Sequence, residues 1–204
     1  MSLLKQLLSG ARDPVPIFPL KTVLFPESLL PLRIFEVRYM DMAKDCLRTK
    51  KPFGVCLIRE GEEVGTPAVP HEVGCLASIA ECDMEELGIL KVVARGGDRF
   101  RIVASETAAS GLIRAELEPL GAEAGAVDAP GLEPCASFLR KVLAGIGQDR
   151  FAGAPRFEDA SWVSFRLAEI LPLRADVKQK MLEVTDATLR IGVLHRFLKQ
   201  QKLV

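Results

Sequence analysis

Five cysteines and two histidines are the side chains of this 204-residue chain best suited to metal binding or nucleophilic catalysis. His71, Cys75 and Cys82 lie close together, but they lack the second paired motif that zinc sites use. If residues 73–82 form one strand, Cys75 and Cys82 have opposite parity and lie about 23 Å apart, at about 3.3 Å per residue. This spacing favours buried thiols over a metal site, and no metal or cofactor is predicted.

Catalysis by a side-chain nucleophile requires a base beside it, and the sequence shows no such pairing. His71 falls in a polar stretch, and His195 is interpreted as a surface or packing residue of the last helix. Gly96-Gly97 precedes a predicted strand, so it lacks the helix N-terminus that holds phosphate. No G-x-x-x-x-G-K-[ST] phosphate loop occurs. The sequence therefore predicts no catalytic residue.

Charge and composition narrow the function classes further. Lys plus Arg and Asp plus Glu number 27 each, which argues against a dedicated nucleic-acid binder. The chain is 49% hydrophobic and 26% charged, as is ordinary for a soluble protein. No apolar run reaches the roughly 18 residues that span a bilayer, and the N-terminus lacks a secretory pattern. We expect a cytoplasmic protein with reduced thiols and no membrane or nucleic-acid partner.

The elements that must position any site begin with a proline-punctuated stretch from Val15 to Met40. Proline is tolerated in strands only at edges, ends or bulges. The pattern predicts extended pieces at 15–20, 22–25 and 28–34, and a helix from about Phe35. Apolar residues at near-helical spacing predict the buried stripe of this helix: Phe35, Tyr39, Met42, Ala43, Cys46 and Leu47.

Short strands with nearby turn signals follow and predict an antiparallel sheet curled into a sandwich or small barrel. Residues 60–72 are predicted to be a loop, residues 83–88 an acidic turn, and Gly96-Gly97-Asp98 a hairpin. The predicted strands are 53–58, 73–82, 89–94, 99–105 and 112–117.

The composition changes at 121–131, a run of small residues that predicts a linker between a β-rich unit at 1–120 and a helical unit at 132–204. Helices are predicted at 133–146, from Asp159 or Ser161 to about Leu171, at 176–184, and from Thr185 or Asp186 onward. The apolar residues of the last helix are Leu189, Gly192 or Val193, Phe197 and their neighbours. Residues 1–13 are predicted to form a frayed helical turn or a packed tail.

Several segments, in this order, resemble the substrate-binding N-terminal domain of the Lon protease family. The resemblance covers about residues 14 to 198, and its specificity lies in the order and spacing of the fragments. The matching segments are Ile17-Phe18-Pro19-Leu20, Val23-Leu24-Phe25-Pro26, Leu30-Pro31-Leu32-Arg33-Ile34-Phe35-Glu36-Val37-Arg38-Tyr39, Phe53-Gly54-Val55, Val73-Gly74-Cys75-Leu76-Ala77-Ser78-Ile79, Gly97-Asp98-Arg99-Phe100-Arg101-Ile102, Ile170-Leu171-Pro172-Leu173 and Lys178-Gln179-Lys180-Met181-Leu182-Glu183 with Arg190.

The resemblance implies an α+β fold, in which a β-rich pseudobarrel related to PUA-like domains precedes a helical bundle. It also implies binding of unfolded or degron-bearing polypeptides, or of a protein partner, by a stand-alone version of the domain. The chain lacks the length for Lon's ATPase module and Ser–Lys protease domain, so no ATP or peptide hydrolysis by Lon's mechanism is expected. RNA binding, by analogy with PUA-like folds, and a protein–protein adaptor role are the alternatives.

Within the family-like motifs, the candidate substrate-binding residues are Phe25, Leu30, Glu36, Tyr39 and Arg99. Each has a structural interpretation as well, either as a core side chain or as a polar brace between the first helix and the sheet. A peptide could also add to an exposed strand edge, although the prolines would blunt the edge they occupy. The architectural expectation is that Glu36 or Arg38 is paired and that four apolar side chains are largely buried: Phe25, Leu30, Phe35 and Tyr39.

Overall fold

The computed structural model describes residues 14–86, 88–121, 128–146 and 151–204. The chain divides into two compact units, Met1–Leu120 and Gly121–Val204. The predicted turn at 1–13 and most of the predicted linker at 121–131 lie outside the described residues.

The first unit contains a six-stranded sheet and one described helix. The strand order is β2-β5-β4-β3-β1-β6, and helix α1 (Val37–Thr49) follows β2 in sequence. The strands are β1 (Val15–Leu20), β2 (Leu29–Ile34), β3 (Phe53–Glu60), β4 (Val69–Glu86), β5 (Ile89–Thr107) and β6 (Ile113–Pro119).

The sheet closes on itself because β5 has three neighbours. Its first part pairs with β2, from Leu29↔Arg95 to Ile34↔Leu90. Its last part pairs with β6, which also pairs with β1. Strands β5, β4, β3, β1 and β6 therefore form a closed ring. The prediction of an antiparallel sheet is wrong for one pair of strands, because β1 and β3 are parallel. A parallel pair needs a long crossover connection, and β2 with α1 provides it.

The predicted hairpin at Gly96-Gly97-Asp98 is wrong, because β5 continues through these residues. Gly96 allows a close approach of two backbones instead of a chain reversal. A Cβ at this position would lie 2.1 Å from the carbonyl oxygen of Phe25. The predicted turn at 83–88 is also too long, because β4 extends to Glu86 and only Gly88, with φ +95°, is described between it and β5.

Residues 22–25 do not form the predicted strand and lead instead into a tight turn. The N–H of Ser28 donates to the carbonyl of Phe25, and Glu27 adopts a left-handed φ of 63°. Pro26 fits this turn because its fixed φ suits the position before a residue with positive φ. The predicted loop at 60–72 is shorter than expected, since β4 begins at Val69.

Helix α1 buries one face against the sheet. It begins at Val37, so Phe35 lies before it, and Leu47 is exposed, contrary to the predicted stripe. Its buried residues are Arg38, Tyr39, Met42, Ala43 and Cys46. A second buried cluster, centred on Ile17 and Phe100, joins β1, β5 and β6.

The second unit consists of helices α2 (Leu132–Ile146), α3 (Ala160–Ile170), α4 (Ala175–Glu183) and α5 (Ala187–Gln200) among the described residues. Helix α3 contacts α2, α4 and α5, and α2 contacts α5. Asp159 and Asp186 each accept two backbone N–H bonds at the start of α3 and α5, which confirms the predicted caps. No helix in the described ranges is long and apolar enough to cross a membrane.

Arginine occupies the core of this helical unit, which the sequence did not predict. Arg190 donates from Nη1 to the Val184 carbonyl at 2.7 Å and from Nε to Ser164 Oγ at 3.0 Å. Its guanidinium lies 4.1 Å from the ring centroid of Phe165. The inward face of α5 therefore includes Arg190, whereas the apolar residue Leu189 is 62% exposed.

Candidate functional site

A groove with a volume of about 200 Å³ in the β-rich unit brings together several predicted site residues. One side consists of β2 and the residues that lead into α1, from Leu30 to Glu36. Facing them are side chains from β1, from α1 and from the two loops that follow β1 and β3: Phe18, Leu20, Thr22, Tyr39, Glu63 and Val64.

The rim of the groove carries two exposed apolar side chains. Phe35 is 54% exposed and Val64 is 55% exposed. The expectation that Phe35 is buried is therefore wrong, because the residue precedes α1 and does not share the buried face of that helix. Leu30 is only partly buried and packs against the core beside the groove. This stretch thus presents apolar surface at an opening, which is the arrangement expected of a binding surface.

The floor of the groove is a rigid aromatic pair. Tyr39 is buried, as predicted, and its ring stacks on Phe18 with centroids 4.2 Å apart. Burial raises the pKa of the Tyr39 hydroxyl, and the nearby Glu36 carboxylate raises it further. Arg38 opposes this shift, and its guanidinium lies 4.7 Å from the Tyr39 ring centroid. Tyr39 therefore stays neutral at physiological pH and contributes an apolar ring to the floor.

Glu36 is held in place by an ion pair. Its Oε2 lies 2.9 Å from Nη2 of Arg38, which confirms the predicted pairing. Arg38 also donates from Nη1 to the carbonyl of Gly111 at 3.2 Å. The Arg38 side chain is buried, so this bond compensates part of its desolvation. This brace ties the start of α1 to the turn before β6.

The opposite rim is positioned by contacts between two loops. The backbone N–H of Lys21 donates to the Glu63 carboxylate, and the Lys21 ammonium pairs with Glu62. These contacts hold residues 62–64 beside the segment that follows β1. They engage the carboxylate of Glu63, which lines the groove beside Val64.

The structure places the five predicted site residues in different environments. Leu30, Glu36 and Tyr39 line the groove, whereas Phe25 and Arg99 do not. Phe25 is fully buried, and Arg99 lies buried on β5 opposite Cys75. Sequence reasoning did not select Val64, although a lone apolar residue in a polar loop was an available signal.

A larger cavity of about 390 Å³ lies between α1 and the starts of β1 and β6. Cys46 lines it, and burial raises the pKa of its thiol to about 11. A thiol with this pKa is protonated at neutral pH and is a poor nucleophile. Burial likewise raises the pKa of Cys135 to about 11 and that of Cys56 still higher.

The histidines and cysteines do not assemble into a metal site within the described ranges. No group of three or more His, Cys, Asp and Glu side chains there could hold a metal ion. Cys75 is buried, whereas Cys82 is exposed. His195 packs against Gly131, where an added Cβ would lie 2.5 Å from Nδ1.

The fold and the groove define a mixed α+β domain with the Lon N-terminal fold. The family model described as the ATP-dependent protease La (LON) substrate-binding domain matches residues 14–200. The chain belongs to this family.

Two solved structures resemble this chain. A Lon N-terminal domain protein from Xanthomonas campestris is 32% identical, with a TM-score of 0.75 over 89% of this chain and 96% of that one. The N-terminal domain of the Mycobacterium avium complex Lon protease is 18% identical, with a TM-score of 0.68 over 92% of this chain and 98% of that one. The second likeness supports the fold alone.

Proposed function

We propose that this protein is a non-catalytic polypeptide-recognition module that binds unfolded or degron-bearing segments in the groove beside β2. The observation that carries the proposal is the pair of exposed apolar side chains, Phe35 and Val64, that line a groove together with a buried aromatic pair. Membership of a family of substrate-binding domains supports the same function.

The recognition energy would come from apolar burial. The carboxylates of Glu36 and Glu63, which line the groove, are engaged by Arg38 and Lys21. Apolar side chains make up most of the remaining lining, which also includes Thr22 and Arg33. Burial of apolar area contributes about 25 cal/mol per Å² before the costs of association. A groove of about 200 Å³ accepts only one or two side chains, so binding should be weak and reversible.

The finer architecture is part of the same proposal. We propose that the closed ring of strands is a PUA-like pseudobarrel and that α2–α5 form a helical bundle. The unit boundaries would be 1–120 and 132–204, with 121–131 as the linker, and the protein would act in the cytoplasm. The pairing of β5 with both β4 and β6 supports the pseudobarrel, and the contacts among α2, α3 and α5 support the bundle.

Fluorescence anisotropy with a labelled, unfolded apolar polypeptide tests the function. Val64→Ser and Phe35→Ser should each weaken binding about tenfold, because each removes one buried apolar contact. Val103→Ser is the matched control, since Val103 is 63% exposed on β5 and does not line the groove. Equal binding by all three variants and the unchanged protein would contradict the proposal.

The same assay separates the alternative of RNA binding. Labelled single-stranded RNA at low and high salt should show no binding at micromolar protein, because RNA affinity rests on phosphate contacts. Binding that weakens steeply with salt would favour the RNA function instead.

A further inference from the structure

Strand β2 lies at one end of the strand order, and among the described strands it pairs with β5 alone. The groove follows this margin, since residues 30–34 of β2 line it. We infer that a bound polypeptide docks in extended form as an additional strand on β2. This inference rests on the proposed function and specifies how the polypeptide is held.

The turn before β2 determines which main-chain groups face outward. The N–H of Gly96 donates to the carbonyl of Ser28, and the N–H of Glu27 donates to the carbonyl of Gly96. Ser28 therefore directs its carbonyl toward β5. The main-chain N–H and C=O groups of successive residues point to opposite sides of a strand. Those of Leu30 and Leu32 therefore also point toward β5, whereas those of Leu29 and Pro31 point away from it.

Two of the outward-facing residues, Leu29 and Pro31, provide one donor and two acceptors. Leu29 offers an N–H and a C=O, and Pro31 offers only a C=O, because proline has no N–H. A proline at an outward position leaves the pairing between β2 and β5 intact. It also reduces the donors available to an added strand, which keeps the pairing short and reversible.

An extended polypeptide complements this edge better than a helix does. A helix satisfies its main-chain groups internally, whereas an extended chain presents donors and acceptors to a strand edge. Alternate side chains of an added strand point to one face. Those of one parity would enter the groove between Phe35 and Val64, while the others would face solvent.

Backbone methylation of the ligand tests this mode directly. An apolar peptide of about eight residues that binds the protein is prepared with a single N-methyl group at each position in turn. N-methylation at two positions that lie two residues apart should weaken binding about fivefold or more, because each of these amides loses its bond to the carbonyl of Leu29 or Pro31. N-methylation at the position between them should change binding less than twofold.

Substitutions in β2 of the protein test the same hydrogen bonds. Leu29→Pro removes the outward N–H without touching the ladder to β5, and Leu29→Ala controls for the lost side chain. Leu29→Pro should bind about fivefold more weakly than Leu29→Ala, and Pro31→Ala should bind about threefold more tightly, since it adds a donor. Urea unfolding of each variant shows that β2 remains folded.

The outcomes separate this inference from the proposed function. If every N-methylated peptide binds alike while Val64→Ser still weakens binding, the added strand is wrong and the groove function stands. If the unmodified peptide does not bind at all, both are wrong. If Pro31→Ala produces a dimer without tighter peptide binding, the edge serves a second copy of the chain, and the inference is overturned.

Discussion

Two sets of side chains, one in each unit, lie where hydrophobicity alone would not place them. In the helical unit, Arg166 and Arg190 are 0% and 1% exposed, so charged groups lie in the core. In the β-rich unit, Phe35 and Val64 are more than half exposed, so apolar groups face solvent. Hydrophobicity alone therefore does not decide where a side chain lies. The buried arginines act on local structure, whereas the exposed apolar groups are available to a ligand.

A buried charge is tolerated only where its surroundings offset desolvation. Arg166 Nη2 lies 3.5 Å from a carboxylate oxygen of Glu169, and its guanidinium lies 4.6 Å from the ring centroid of Phe151. Arg190 has hydroxyl and carbonyl acceptors from three other residues. These contacts fix the relative positions of α3, α5 and the segment between α4 and α5.

The largest expected effect is a difference in stability between variants of two phenylalanines in the β-rich unit. Phe25→Ala should lower the free energy of unfolding by about 4 kcal/mol, because Phe25 is fully buried and its loss leaves a cavity. Phe35→Ala should lower it by less than about 0.5 kcal/mol, as is usual for exposed positions. Urea unfolding followed by circular dichroism measures both. Similar losses for the two variants would show that Phe35 supports the core instead of the groove.

The second effect concerns the arginine core. Arg190→Ala should lower the free energy of unfolding by about 3 kcal/mol, because it leaves a cavity and removes the donor to the buried hydroxyl of Ser164 and to two partly buried acceptors. The fluorescence of Trp162, the one tryptophan of the chain, reports on this unit during urea unfolding. Arg196→Ala, on the exposed side of α5, is the control. A loss no larger than that of the control would mean that the buried arginine is not a stabilising element.

A smaller effect is expected at Gly131, which has a φ of +87° and packs against His195. Gly131→Ala should lower the free energy of unfolding by about 2 kcal/mol, from backbone strain and a clash with the imidazole. Gly153→Ala is the matched control, because Gly153 has nearly the same φ of +88° but no atom lies within 4 Å of the added Cβ. It should lose only the backbone contribution of about 1 kcal/mol. Adding His195→Ala should recover the difference, and a failure to do so would rule out the clash.

The last expected effect is a pH dependence of stability in both units. The pKa values of Cys46 and Cys135 rise from the ordinary 9.0 to about 11 on folding. Both thiols are protonated in both states below pH 9, so stability there is unaffected by them. Between pH 9 and 11 the unfolded thiols ionise first, so the folded state loses stability as pH rises.

The measurement for this effect is the free energy of unfolding at pH 8 and pH 10.5 under reducing conditions. Cys46→Ala and Cys135→Ala should each lose less stability over this interval than the unchanged protein. Cys82→Ala, at an exposed thiol, should follow the unchanged protein. Parallel curves for all four proteins would show that burial of the thiols does not couple to stability.

Local signals made parts of both units predictable. Asp159 and Asp186 precede apolar helical patterns, and each caps the helix that follows. The extended segment predicted at 15–20 coincides with β1, because alternating prolines and apolar residues restrict the backbone to extended conformations. These features depend on residues close in sequence, so a single sequence contains the required information.

Features that depend on distant contacts were not predictable in the same way. Gly96 has the local signature of a turn, but it serves the approach of Phe25 from another part of the chain. The burial of Arg190 in α5 depends on acceptors from α3 and from Val184, which the local pattern of α5 does not show. In the groove, Leu30, Glu36 and Tyr39 lie in one continuous motif, whereas Val64 comes from a loop whose position depends on Lys21.

The closed ring of strands has a consequence for how the protein is made. Strand β1 pairs with both β3 and β6, and Val15 lies opposite Ala115. During translation, β1 leaves the ribosome long before β6 is synthesised. One edge of β1 therefore stays unpaired until residues 113–119 emerge. The apolar residues of β1 are exposed during this interval, which makes the nascent β-rich unit most vulnerable to aggregation just before its last strand arrives.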